Sequence, residues 1–172
     1  MLLSDVVLDL LAFPLFSFLV ILQSTIISRL QVVHGSADLV LLVIVAWSLQ
    51  ERVKRTWVWT LIGAGMVAYV SALPLMATFT GYLIAMGLAR LLHRRIWQAP
   101  ILAMLIATAI ASLLQHLVAL VFLTLGGSPI SIPQAFALVT APSVFLNLIL
   151  ALPVYAVVSD FANLVYPAKD EE

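Results

Sequence analysis

The feature that most constrains this chain is its division into six apolar stretches joined by short polar links. They run approximately over 10–27, 37–50, 57–73, 75–92, 99–125 and 135–159. A helix that crosses the hydrocarbon core of a bilayer needs roughly 20 apolar residues, within a range of about 17–25. Stretch 37–50, ADLVLLVIVAWSLQ, is short for such a span. An open strand would leave backbone groups unpaired in lipid, so each stretch is expected to be helical. Composition agrees. The 172 residues are 64% hydrophobic and only 9% charged, against about 25% charged in a soluble domain. The expected fold class is an all-α polytopic membrane protein, a single transmembrane domain over 1–172, with the lipid bilayer as its solvent. The longest links, 28–36 and 126–134, have the length usual in helical bundles.

Several function classes fall away. A formal net charge of zero gives no sign of a nucleic-acid partner. With no cysteine there is no disulfide framework, thiol nucleophile or thiolate metal site. The opening residues MLLSDVVLD carry Asp5 and Asp9 but no basic residue, and no small-x-small pattern follows. The first segment is therefore expected to be retained as a span, with Asp5 and Asp9 marking an interfacial turn ahead of Pro14.

Charge and tryptophan set the expected orientation. Arg52, Lys54 and Arg55 lie between the second and third stretches, and Arg90, Arg94 and Arg95 between the fourth and fifth. If all six stretches cross, both links fall on one side, which the positive-inside rule makes cytoplasmic. Both termini, with Lys169, then share that side, and Arg29 lies opposite. Trp47, Trp57, Trp59 and Trp97 fall near the same ends, as an interfacial aromatic belt would.

The polar residues within the spans are few. Asn147 and Pro153 stand in the last stretch, APSVFLNLILALPVYAVVSDF. Pro153 frees the carbonyl of Ile149. Both are tolerable where this segment is buried among helices, either as a kink with packing glue or as a site for a partner or ligand. Thr108, Ser112, Gln115 and His116 recur at helical spacing and share one polar face of the fifth stretch. His116 reads as a hydrogen-bonded core histidine or, alternatively, as a proton relay or substrate ligand. Small residues at Ala107, Ala111 and Ala119, at Thr60, Ala64, Ala68 and Ser71 with Gly63 and Gly65, and at Gly81, Ala85 and Ala89 suit close helix contact in the bundle interior. Asp38 opens the short stretch as a carboxylate complementing a helix macrodipole. No phosphate loop, HExxH or GxSxG motif is present, and no pair of carboxylates falls in one span. A non-enzymatic role without a cofactor is expected.

LQSTIISRL (22–30), ADLVLLVIVAWSLQ (37–50) and NLILALPVYAVV (147–158), taken with their order and spacing, resemble the rod shape-determining protein MreD family along nearly the whole chain. The resemblance implies six spans in the bacterial inner membrane. The implied bundle is similar to the substrate-binding subunit of energy-coupling-factor vitamin transporters. It further implies a scaffold role beside MreC, in support of MreB, RodA and its penicillin-binding transpeptidase partner. By matching position, Gln23, Ser24, Asp38, Asn147 and Pro153 would be the family-pattern residues, with structural or partner-contact roles. The chain departs from the family at Ala37, where a proline is usual, and at Tyr69, where many members carry an aspartate. A vitamin-type transporter subunit is the alternative, since fold alone does not fix function. An intramembrane enzyme is a third.

Overall fold

The computed structural model describes residues 2–25, 34–95 and 99–166, with side chains from residue 8 onward. Arg29, Trp97, Lys169 and the side chain of Asp5 lie outside that description. The described residues form helices and turns, with no strand. In chain order these are α1 (Leu2–Thr25), α2 (Leu39–Ser48), α3 (Thr56–Val70), α4 (Leu75–Arg95), α5 (Pro100–Leu125), α6 (Ile132–Ala135) and α7 (Ala141–Val165). The expected stretches are helical where described, with shifted boundaries: α2 is shorter than 37–50, α3 stops at Val70 short of residue 73, and α4 runs on to Arg95. α1 passes through residues 5 and 9, where an interfacial turn was expected, because nothing before Pro14 interrupts its hydrogen bonding. The last stretch is longer than 135–159. A five-residue π-helical turn, Phe136–Thr140, joins α6 to α7, so the backbone stays helical over Ile132–Val165.

The chain is an all-α, multi-pass membrane protein. Among the described residues, four helical segments are long and apolar enough to cross a bilayer: Leu8–Thr25, Leu75–Arg95, Pro100–Leu125 and Ile132–Val165. Their outward surfaces carry large apolar side chains such as Phe18, Ile84, Leu117 and Val157, a sheath far larger than the apolar patches of water-soluble monomers. α2 and α3 are apolar but shorter, at 10 and 15 residues.

α2 is the centre of the bundle. Every residue from Leu39 to Ser48 is buried, and the helix touches α1, α3, α4, α5 and α7. Small residues permit this density. Gly63 of α3 receives Phe16 and Ile44 side chains that an added Cβ would meet at 3.1–3.2 Å. α4 and α5 pack along Gly81, Ala85 and Ala89 on one side and Ala103, Ala107 and Ala111 on the other, all buried. Most of the small faces read from the sequence therefore meet inside the molecule, whereas Gly65, Ala68, Ser71 and Ala119 are only half-buried. α5 starts on Pro100, whose missing N–H costs nothing in a first turn. It stops at Gly127, whose φ of 80° lets Ser128 N donate to Leu123 O at 3.0 Å.

One end of the bundle is basic. Arg90, near the end of α4, donates to the carbonyls of Gln50 and Val53 and to Thr56 Oγ1. The two arginine clusters therefore share an end. Arg55 pairs with Asp9 of α1 at 2.9 Å, and Arg52 donates to Tyr166 O beyond α7 at 2.8 Å. The first half of α1 and the last residues of α7 thus reach the same end. Two of the expected belt tryptophans turn inward instead. Trp47 and Trp59 are buried and stacked at 4.3 Å, with Phe161 at 5.8 Å from Trp47. Trp47 belongs to α2, which has no outer face to offer; Trp57 does face outward.

Candidate functional site

A helix leaves its first four backbone N–H groups without intrahelical partners. At a water-exposed end, solvent satisfies them. α2 has no such end. Its ten residues span about 15 Å, half the hydrocarbon thickness of about 30 Å. Its start lies beside Ser112 and Gln115, midway along α5. Protein groups must therefore close this helix.

They do so from four directions. Asp38 is the N-cap, and its Oδ1 accepts from Leu41 N at 2.9 Å. Gln23 Oε1 of α1 accepts from Leu39 N at 3.0 Å. Asn147 Oδ1 of α7 accepts from Asp38 N at 2.7 Å, and Asn147 Nδ2 donates to Ser112 Oγ of α5 at 2.9 Å. Asp38 Oδ2 takes two donors, the Tyr82 hydroxyl of α4 at 2.6 Å and Gln115 Nε2 of α5 at 2.9 Å. The preceding segment is pinned as well. Ser36 N donates to Ser143 Oγ at 3.1 Å, and His34 N donates to Leu138 O within the π-helical turn at 3.1 Å. The result is a polar knot joining α1, α2, α4, α5 and α7 inside an apolar body.

The candidates read from the sequence divide accordingly. Gln23, Asp38, Ser112, Gln115 and Asn147 come together. Ser24 turns outward and donates to Ile21 O in its own helix. Pro153 is also exposed, at the edge of a cleft between α1 and α7, contrary to the expectation that it is buried with Asn147. Six residues of helix rotate it by about 240° from Asn147. The face shared by Thr108, Ser112, Gln115 and His116 also splits. Thr108 is fully buried with its hydroxyl outside the knot. His116 lines a separate cavity of about 610 Å³ against Phe136, Val139 and Thr140.

Tyr82 and Ser143 join the site without having been singled out from the sequence. Tyr82 could have been found: it stands three residues before Ala85, on the small-residue side of α4 that faces the core. Ser143, in an outer turn of α7 next to Pro142, carries no comparable sign.

The knot braces the bundle, since the donors and acceptors named above are spent on one another. Among the described residues, no group of three or more His, Cys, Asp or Glu could hold a metal ion. Comparison with known protein-family models, curated proteins and solved structures returned no match to this chain.

Proposed function

We propose that this chain is a non-catalytic scaffold of the bacterial cell-wall elongation complex, of the rod shape-determining MreD kind, held in the inner membrane and paired with an MreC-like single-span protein. One observation carries this reading. Three residues that the resemblance singles out, Gln23, Asp38 and Asn147, are far apart in sequence yet meet at the start of α2, and all three hydrogen-bond to its first backbone amides or to the cap itself. A shared pattern of residues that builds a rigid bundle, with no reacting group among them, suits a scaffold.

Orientation follows from the basic end. With Arg52, Lys54, Arg55, Arg90, Arg94 and Arg95 in the cytoplasm, both termini are cytoplasmic under a six-span topology. In this reading α2 and α3 complete the crossing with their flanking segments. Most small-residue faces are consumed within the bundle. Gly87 is different: it is exposed on α4, and an added Cβ there would meet nothing within 4 Å. The partner's span packs against α4 at Gly87, where backbones can approach closely.

Co-expression tests the reading. An MreC-like single-span protein should co-purify with the wild-type chain and be lost with Gly87→Ile. Depletion in a rod-shaped host should round the cells. Absence of co-purification together with unchanged cell shape would sink it. The transporter alternative requires a cavity with converging polar groups, for which Gln115, His116 and Asn147 are the candidates; Gln115 and Asn147 are engaged with Asp38 and Ser112, and His116 lines a separate cavity away from them. Ligand-dependent thermal stabilisation by a vitamin would revive it.

A further inference from the structure

Between α1 and α7 lies a cleft of about 620 Å³. Leu11 and Leu22 mark its two ends on α1, Phe161 and Leu150 on α7, and Val43 of α2 lies in its floor. Three properties of this cleft bear on what fills it. The first is length. Leu11 to Leu22 is eleven residues of helix, about 16 Å, which matches one leaflet of hydrocarbon and falls well short of a full span of about 30 Å.

The second is texture. Leucine, valine, phenylalanine, tryptophan and proline line the cleft, with no glycine, alanine or serine among them. Helices associate in lipid through small residues that let backbones approach. A spanning helix would ride on bulky side chains here, whereas a flexible hydrocarbon chain can follow them.

The third is charge. The cleft ends where the basic end of the molecule begins. Arg55 bonds Asp9, two residues before Leu11 on one wall. Arg52 bonds the carbonyl of Tyr166, five residues beyond Phe161 on the other wall. Each guanidinium commits one nitrogen to its helix and has further N–H donors. Lys54 stands exposed between them in sequence.

We propose that the cleft holds one acyl chain of an anionic phospholipid, with Arg52 and Arg55 binding its phosphate. The cleft and the two arginines come from α1, α2, α3, α7 and the α2–α3 link, away from Gly87 on α4, so the site is independent of the partner assignment. Bound lipid fills the space between α1 and α7 and ties the first and last helices together.

The test uses the full chain in detergent, with phosphatidylglycerol or phosphatidylcholine carrying the same oleoyl chains, read by native mass spectrometry. One phosphatidylglycerol should be retained in roughly tenfold preference over phosphatidylcholine, as two arginines near an anionic headgroup provide. Arg52→Gln with Arg55→Gln should bring the two lipids level. Val157→Trp should fill the cleft and remove both. Ile101→Trp, outward on α5, should change neither. A second readout needs no cleft variant. With Trp57→Phe and Trp97→Phe, the remaining Trp47 and Trp59, which line the cleft, should be quenched by phosphatidylglycerol brominated on its acyl chains. Equal retention of the two lipids by the wild type, absence of quenching, or a partner helix or second copy crosslinked through residue 157 in place of lipid would each overturn the proposal.

Discussion

The hydroxyl of Tyr82 donates to Asp38 Oδ2 at 2.6 Å, joining the middle of α4 to the cap of α2 across 44 residues of sequence. Tyr82→Phe should lower stability by about 1–2 kcal/mol, since the carboxylate keeps Gln115 but loses one of two donors on that oxygen. Asp38→Ala should cost more, because it removes the cap and orphans both Tyr82 and Gln115. Thermal unfolding of the purified chain in detergent checks the order. Equal effects would show that the cap and the Gln115 bond add nothing beyond the Tyr82 bond.

Asn147 serves two groups at once, and Ser112 only one. Asn147→Leu keeps the branched shape, is bulkier, and leaves Asp38 N and Ser112 Oγ unpaired, with an expected loss of about 2–3 kcal/mol. Ser112→Ala should cost about 1 kcal/mol. The double variant should fall short of the sum, because the two residues share a bond. Strict additivity in the unfolding midpoints would contradict the network.

Two glycines give opposite expectations. A Cβ at Gly35 would stand 2.6 Å from both Pro142 Cβ and Ser143 N, so Gly35→Ala must push the 34–36 segment off α7. It should lower stability by about 1–3 kcal/mol and expose the Ser36 and His34 amides to exchange. Gly87→Ala meets nothing within 4 Å and should be neutral or slightly stabilising, by up to about 1 kcal/mol. Melting curves on the two variants, with hydrogen exchange at 34–36, separate the outcomes.

Arg90 holds the α2–α3 link by two carbonyls and a hydroxyl, whereas Arg94 is exposed. Arg90→Met should therefore destabilise the chain by about 1–3 kcal/mol and increase protease access at 50–55, while Arg94→Met should change neither. Limited proteolysis in detergent distinguishes them.

The sequence made the helices legible because lipid permits few other ways to satisfy a backbone. It also marked Asp38 as a carboxylate at a helix start and Asn147 as a group needing an interior partner, since a lone polar residue in an apolar run has few acceptable places; the capping bond of Asp38 came only with the structure. Which groups would meet was not legible. Gln23 faces the knot and its neighbour Ser24 faces out, and Gln115 and His116 diverge likewise; one residue of helix is about 100° of rotation. Only the packing of α1 and α5 against α2 selects between such neighbours. The π-helical turn had no visible cause in 136–140. Its Leu138 carbonyl is used by His34, a contact with the chain on the far side of the α2 cap.

The closure of α2 has a consequence for biosynthesis. Asp38 emerges from the ribosome 109 residues before Asn147. At about 5–20 residues per second, the nascent helix waits roughly 5–20 s with its leading amides incompletely matched. Its insertion must be sheltered during that interval, by the translocation machinery or by a transient neighbour. A ribosome stalled just before the final helix would display a chain still open at its middle, and a quality-control protease could recognise truncated products there.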